Sequence, residues 1–188
     1  GRCMKTSLAL TYGQLLAREH KVLYLNLEEY SGFSELYPTE EGWTLSELLY
    51  FLKQGKSAFG WKLEGLIRSL GELDYIPPLH SPVEYEQVKR EDWKELLELL
   101  GRESRYEVVI LDLSGVVDGW YELLEECSCV YTPVEKDETA KAKLRQYEET
   151  MKLLELEEVL ERTQKLELST YDGLELLVKA EGKRWCEP

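Results

Sequence analysis

Two stretches of the sequence carry side chains suited to phosphate and metal chemistry. The first, residues 1–7, reads Gly-Arg-Cys-Met-Lys-Thr-Ser and stands directly before a segment with the apolar spacing of a helix. Lys5 and the hydroxyl of Thr6 suit a bound phosphate, because a helix N-terminus offers backbone N–H groups and a favourable dipole to an anion. The second is an apolar run that ends at Asp112. A carboxylate at the carboxyl end of a buried strand suits Mg²⁺ or a water molecule.

Each candidate also has a plainer explanation. Lys5 and Thr6 fit a solvated first turn of a helix, and Asp112 fits a carboxylate that caps the turn after its strand. For Asp112 the metal or water role is favoured, because open α/β sheets place their ligands at the carboxyl ends of strands. Glu28 follows another apolar run and is a further candidate for water or metal contact. A solvated Glu28-Glu29 pair explains that residue equally well.

The histidines and cysteines give no metal or redox motif. His20 and His80 are isolated, with no ligand spacing around them. Cys127 and Cys129 form a C-x-C pair inside an apolar run, and we expect both on one face of a buried strand as core residues. Cys3 lies in the loop at the start of the chain.

The composition restricts the class of protein. The 188 residues are 43% hydrophobic and 32% charged, which is ordinary for a globular domain. The formal net charge of −14 repels phosphate backbones, so direct binding of nucleic acid is not expected. No apolar run approaches the roughly 20 residues that a membrane-spanning helix needs. Four scattered cysteines favour a reduced, cytoplasmic protein.

Apolar strands alternate with helical segments along the whole chain. This pattern predicts an α/β fold in one domain, residues 1–188, with a mainly parallel sheet flanked by helices. Thr44 and Glu47 have the spacing of a capping box. The strands at 22–27, 107–112 and 128–132 are expected to be neighbours in one sheet. The patterns predict helices at 7–20, 44–53, 63–70, 91–100, 121–126, 136–154, 156–162 and 174–179, and strands at 21–27, 73–76, 106–113, 127–132 (ended by Pro133) and 165–169.

Four motifs in chain order resemble the MinD/ParA class of P-loop ATPases. Residues 1–7 resemble the end of its phosphate-binding (Walker A) loop. Residues 23–28, Leu-Tyr-Leu-Asn-Leu-Glu, stand where that class has a strand ending in Asp-x-Asp. Residues 109–115 match the strand with the Walker B aspartate and the turn after it, and residues 130–135 match the strand ending in Thr-x-Pro-Glu. More narrowly, the chain is similar to the CpaE-like members.

The resemblance implies a P-loop NTPase-like fold and a function. Members of the class bind ATP with Mg²⁺, dimerise with nucleotide between the subunits and hydrolyse it slowly as a localisation or partition switch. By this resemblance residues Gly1, Arg2, Cys3, Met4, Lys5, Thr6 and Ser7 contact the nucleotide. Thr6 and Asp112 hold the metal, and Glu28 and Asp112 act on water and metal as catalytic residues. A bacterial regulatory ATPase with a nucleotide-dependent homodimer is the expectation.

Departures from the family pattern predict weakened activity. Arg2 and Met4 replace loop glycines, and a side chain before Lys5 brings bulk where the backbone approaches the phosphate. Asn26 replaces an aspartate, so it can bind water by hydrogen bonds but brings no charge. We therefore keep an alternative, a non-catalytic module that has lost the nucleotide and acts through protein contacts. By the same resemblance, the first strand and a receiver-like domain are expected before Gly1.

Overall fold

The computed structural model describes residues 5–38, 42–55, 59–135 and 137–167. The chain divides into two compact units, of which one is Ala9–Trp120 and the other comprises the chain on either side of it. The helices are α1 (Lys5–Leu16), α2 (Phe33–Leu36), α3 (Leu45–Gln54), α4 (Phe59–Leu66), α5 (Pro82–Glu86), α6 (Arg90–Glu103), α7 (Trp120–Glu125), α8 (Glu138–Leu153) and α9 (Glu157–Glu161). The strands are β1 (Val22–Leu27), β2 (Arg68–Leu70), β3 (Leu73–Ile76), β4 (Val108–Leu113), β5 (Val130–Val134) and β6 (Thr163–Glu167).

A four-stranded sheet forms the centre of the Ala9–Trp120 unit. Its strand order is β2-β3-β1-β4, with β1 parallel to both β3 and β4 and β2 antiparallel to β3. All six residues of β1 are buried, as expected for a central strand covered on both faces. The expected pairing of strand 22–27 with strand 107–112 is therefore confirmed, and so is the mainly parallel α/β class.

The two faces of this sheet carry different side chains, because successive residues of a strand point to opposite sides. Tyr24 and Ile110 belong to one face, where a cluster that includes Leu16 from α1 packs against them. Gly13 lets α1 approach closely, since a Cβ there would lie 3.0 Å from Leu73 Cδ2 and 3.2 Å from Ile110 Cδ1. The helix after Lys5 thus packs on the sheet, as the sequence predicts.

Helix α3 begins as its sequence predicts. The Thr44 side chain accepts a hydrogen bond from Ser46 N, and Glu47 accepts one from Thr44 N, which completes the capping box. The backbone N–H of Leu45 donates to Pro77 O (2.8 Å), which ties the first turn of α3 to the segment after β3. Helices α3, α4 and α6 also pack against one another.

The other unit contains a second sheet, made of β5 and β6 in parallel. Strand 128–132 does not pair with strands 22–27 and 107–112 among the described residues, because β5 pairs with β6 and no described strand links the two sheets. The family resemblance places a further strand, before Gly1, between them, so a gap at this place belongs to the same prediction. Pro133 lies inside β5 opposite Leu166 and does not end it. A strand with one bonded neighbour tolerates a proline whose nitrogen faces the other edge.

Two further predictions differ from the structure. Cys127 and Cys129 precede β5 and are half-buried, so they do not lie within a strand. Cys127 Sγ donates to Leu123 O (3.3 Å) at the end of α7, and burial raises the pKa of that thiol to about 11. The predicted helix 63–70 is divided instead: α4 ends at Leu66 and β2 begins at Arg68. The predicted helix 174–179 lies outside the described residues.

Candidate functional site

The carboxyl ends of β1 and β4 bring two polar side chains into a buried position. The parallel register places Asn26 directly opposite Asp112, and each residue is 1% exposed. Tyr24, two residues earlier on β1, shares their face of the sheet because side chains alternate along a strand. The sequence therefore places three polar groups at the end of strands that are otherwise apolar.

A chain of hydrogen bonds joins these groups. The backbone N–H of Glu28 donates to Asn26 Oδ1 (3.0 Å), and Asn26 Nδ2 donates to the Tyr24 hydroxyl (2.9 Å). That hydroxyl in turn donates to Asp112 Oδ2 at 3.1 Å. We call this set, from Glu28 N through Asn26 and Tyr24 to Asp112, the Tyr24 chain. It links the residue after β1 to the Asp112 carboxylate across two strands.

The electrostatics of the site keep the Tyr24 hydroxyl protonated. Burial, and then the negative charge of Asp112, raise the pKa of Tyr24 far above its ordinary value. Both effects favour the neutral hydroxyl, and the side chain is completely buried. Tyr24 is thus a neutral donor to Asp112.

The turn after β4 is fixed to β1 by a second contact. Ser114 Oγ donates to the backbone carbonyl of Leu27 at 2.9 Å. Ser114 follows Asp112 by two residues, and Leu27 precedes Glu28. The end of β4 and the end of β1 are therefore tied by side chains as well as by the strand ladder.

A second tyrosine, Tyr85 of α5, lies in the same electrostatic surroundings. Burial and the charges of Glu28, Glu84 and Asp112, in that order, raise the pKa of its hydroxyl. The ring stacks on Trp93 with centroids 6.1 Å apart, and the residue is 1% exposed. Among the described residues the Tyr85 hydroxyl has no hydrogen-bond partner. A proton-bearing hydroxyl therefore lies buried near two of the candidate carboxylates.

The structure describes the other predicted site residues only in part. Lys5, Thr6 and Ser7 form the first turn of α1, with Lys5 and Thr6 half-buried and Ser7 exposed. They belong to a different compact unit from Glu28 and Asp112. Glu28 is half-buried and enters the site through its backbone N–H. The remaining four predicted nucleotide contacts lie outside the described residues: Gly1, Arg2, Cys3 and Met4.

Sequence reasoning found Asp112 but missed both tyrosines. One signal could have indicated Tyr24: it stands two residues before Asn26 in an apolar strand, so both side chains share a face. For Tyr85 the sequence gives no signal, because its short helix brings it near Asp112 only through the tertiary fold. Asn26, for which the sequence predicts water binding, makes its described hydrogen bonds within the protein.

The chemistry of the donors fits a magnesium ion with a phosphate ligand. Carboxylate oxygens such as those of Asp112 are among the hard ligands that Mg²⁺ prefers. Within the described ranges no three His, Cys, Asp or Glu side chains gather into a metal cage. That finding is compatible with Mg²⁺, which is usually bound through one or two carboxylates, waters and substrate phosphates.

No helix in the described part of the chain combines the length and apolar character needed to cross a bilayer. No protein-family model and no curated protein sequence matches the chain.

The fold is nevertheless similar to solved structures. A ParA family ATPase from Chlorobium tepidum superposes with a TM-score of 0.69 at 15% identity, over 95% of this chain and 77% of that one. A plasmid partition protein from Borrelia burgdorferi gives a TM-score of 0.61 at 16% identity, over 97% and 81%. Cobyrinic acid a,c-diamide synthase from Mycobacterium smegmatis, solved with an ATP analogue and magnesium, gives 0.57 at 15% identity, over 100% and 80%.

At these identities the likeness concerns the fold. The helices and the mainly parallel sheet of this chain agree with those structural neighbours. The chain has the α/β fold of the MinD/ParA-type P-loop ATPases.

Proposed function

We propose that this chain is a ParA-type ATPase domain that binds Mg-ATP with weakened affinity and acts as a localisation, partition or regulatory switch. The observation that carries the proposal is the buried Asp112 carboxylate at the carboxyl end of β4. It lies beside β1 in a fold shared with a protein solved with an ATP analogue and magnesium. Open α/β sheets bind their ligands at this edge.

The residues have distinct roles in this proposal. Mg-ATP supplies a transferable phosphoryl group and a divalent positive charge when bound. Lys5 neutralises phosphate charge at the start of α1, and the oxygens of Thr6 and Asp112 serve as metal ligands. Glu28 orients a water molecule. Phosphoryl transfer requires mainly positioning and charge neutralisation, which side chains of these types supply.

Assembly and the composition of the loop also belong to the proposed function. By the resemblance, nucleotide binding promotes a homodimer, and Met4 in place of a glycine lowers affinity because it adds bulk before Lys5. The CpaE-like affiliation and the single domain spanning 1–188 stay predictions from the sequence.

One observation favours the alternative, a non-catalytic module of the same fold. Asn26 is neutral, and its amide makes hydrogen bonds to Tyr24 and to Glu28 N within the protein. An amide whose donor and acceptor groups both bond within the protein resembles part of a structural network more than a ligand contact. The two functions differ in one measurable property, which is the response of the folded protein to Mg-ATP.

Thermal unfolding with millimolar Mg-ATP tests the proposal. A ligand that binds only the folded state stabilises it by about 2.7 kcal/mol at a hundredfold excess over its Kd. For a chain of this size, each kcal/mol raises Tm by about 2–4 °C. Because affinity is weakened, we expect a rise of roughly 3 °C, abolished by Lys5→Ala and reduced by Asp112→Asn.

Matched controls separate ligand binding from general effects of substitution. Lys141 lies exposed on α8 and pairs with Glu138, so Lys141→Ala removes a lysine that is not a candidate site residue. Asp118 is exposed and accepts a hydrogen bond from Arg90 N, so Asp118→Asn repeats the acid-to-amide change elsewhere. Both controls should keep the full rise. A flat response of the wild-type protein would exclude the ATPase and leave the non-catalytic module.

A further inference from the structure

We propose that Tyr24 and Asn26 are positioning residues: Tyr24 holds the Asp112 carboxylate for a divalent cation, and Asn26 sets the direction in which the Tyr24 hydroxyl donates. This inference rests on the proposed function for its cation, and its hydrogen-bond part can be tested without nucleotide. It assigns roles to two residues that lie next to the predicted metal ligand but bear no charge.

The Tyr24 ring is a rigid support. It is completely buried and packs in a cluster with Val22, Leu73 and Tyr75. Its centroid lies 5.8 Å from that of Phe33. Since the ring cannot turn without disturbing a packed core, the position of its hydroxyl is fixed before any ligand arrives.

Asn26 determines which way the Tyr24 proton points. Its Oδ1 accepts from Glu28 N, so the amide cannot flip without placing its NH₂ group against another donor. Its Nδ2 therefore faces the Tyr24 oxygen and occupies an acceptor site there. The single hydroxyl proton is then directed to Asp112 Oδ2. An aspartate at position 26 would instead compete with Asp112 for that proton.

This contact orders the carboxylate and adds no positive charge to it. Tyr24 binds one oxygen of Asp112 as a neutral donor. A carboxylate that is already held in one orientation loses less conformational freedom when a metal binds. Groups that orient a metal ligand in this way typically affect metal affinity by 10- to 100-fold.

Tyr24→Phe removes the hydroxyl and keeps the ring, and Tyr75→Phe is its matched control. Tyr75 stands opposite Tyr24 in the β1–β3 register, and its ring lies 5.1 Å from Phe33. It is 5% exposed, and its hydroxyl is not part of the Tyr24 chain. The two variants thus delete the same atom from neighbouring rings of one cluster.

The first measurement is a titration with Mg²⁺ at a fixed ATP concentration, in which the shift of Tm reports binding. Calorimetry in EDTA measures ATP binding without the metal. Tyr24→Phe should raise the half-saturating Mg²⁺ concentration about tenfold, and ATP affinity in EDTA should change less than twofold. Tyr75→Phe should leave both quantities at the wild-type values. An equal rise of the half-saturating Mg²⁺ concentration in both variants would mean that Tyr24 acts by packing alone, which would overturn the inference. An unchanged Mg²⁺ dependence in Tyr24→Phe would also overturn it.

The second measurement uses the protein without ligand and distinguishes failure of the inference from failure of the proposed function. If wild-type protein does not respond to Mg-ATP, the proposed function fails. A double-mutant cycle of Tyr24→Phe and Asp112→Asn on the unfolding equilibrium then decides whether the two groups are coupled. A coupling of about tenfold in the equilibrium constant supports the positioning contact, and additive effects overturn it.

Discussion

Asp74 and Asp112 stand on the two strands that flank β1, and each accepts a hydrogen bond from a tyrosine. The Tyr106 hydroxyl donates to Asp74 Oδ2 at 2.9 Å, and the Tyr24 hydroxyl donates to Asp112 Oδ2 at 3.1 Å. The two carboxylates lie on opposite faces of the sheet, because Asp74 is opposite Leu23 and Asp112 is opposite Asn26, three residues further along β1. The same pair of chemical groups thus occurs twice in one sheet.

The surroundings of the two pairs differ in charge and in exposure. Asp74 also accepts from Ser69 Oγ (2.6 Å) and from the Arg105 guanidinium (3.0 Å), and its side chain is 15% exposed. Arg105 brings a full positive charge to Asp74, whereas Tyr24 brings none to Asp112. A contact from arginine neutralises a carboxylate, while a contact from tyrosine orients it and adds no charge. The two tyrosine contacts therefore differ in the charge that accompanies them, and the ligand role of Asp112 stays a proposal.

The largest expected effect comes from Asn26→Asp, which replaces the Nδ2 amide group of the Tyr24 chain with a carboxylate oxygen. The new carboxylate cannot donate to Tyr24 and faces Asp112 across a hydroxyl with one proton. A second buried negative charge should lower the free energy of unfolding by about 3 kcal/mol. Chemical denaturation at pH 7 measures this loss.

The exposed Gln54 at the end of α3 provides the control for that substitution. Gln54→Glu makes the same amide-to-acid change at a solvated position. We expect its effect on the free energy of unfolding to stay within about 0.5 kcal/mol. Equal stability of Asn26→Asp and wild type would contradict the assignment of the hydrogen-bond directions.

A smaller effect is expected on the Asp74 side of the comparison. Burial raises the pKa of Asp74, but hydrogen bonds from Ser69, Tyr106 and Arg105 outweigh it, and the pKa lies below its ordinary value. Its contribution to stability is therefore present above the unfolded-state pKa of about 3.9 and is lost as the pH falls through the lower folded-state value. Asp74→Asn should cost about 1–2 kcal/mol at pH 7.

The pH dependence of unfolding makes this prediction specific. Wild type and Asp74→Asn should become more similar in stability as the pH falls below about 4, because the substituted residue has no carboxylate to protonate. Denaturant titrations at pH 7 and pH 3 measure the two differences. A difference that stays constant between these pH values would show that Asp74 contributes through packing and not through its charge.

The smallest loss of stability is expected for Tyr106→Phe, and Tyr24→Phe is the variant with which it is compared. Asp74 keeps its bonds to Ser69 and Arg105 when the Tyr106 hydroxyl is removed, so the cost should be about 0.5–1 kcal/mol. Tyr24→Phe takes a donor from a carboxylate that is 1% exposed, and about 2 kcal/mol is expected. Unfolding free energies of the two variants give the comparison, and the reverse order would refute it.

The sequence predicted the parts of the fold that repeat a pattern over several residues. The apolar runs that became β1 and β4 indicated buried parallel neighbours, and the Thr44–Glu47 spacing indicated the start of α3. Strand β2 was missed because its three residues are too few for a period to be seen. Pro133 was taken as the end of a strand, since the sequence does not show which edge a proline nitrogen will face.

The sequence predicted a candidate site residue only where a carboxylate stands at the end of an apolar strand. Asp112 met that condition and lies buried in β4, while its role toward metal or water stays a prediction. The Tyr24 contact joins residues 88 positions apart, and it depends on the exact register between β1 and β4. Composition and periodicity do not determine a register to one residue, so the positioning hydroxyl became apparent only in three dimensions.

The short strand β2 has a consequence for how the protein behaves at high concentration. It pairs antiparallel with β3 and is an outermost strand in the order of its sheet. An open β3 edge would present unpaired backbone groups to other molecules and could seed intermolecular sheets. With only three residues, one of them the charged Arg68, β2 offers a poor template for further strands. This edge of the sheet is thereby protected against aggregation.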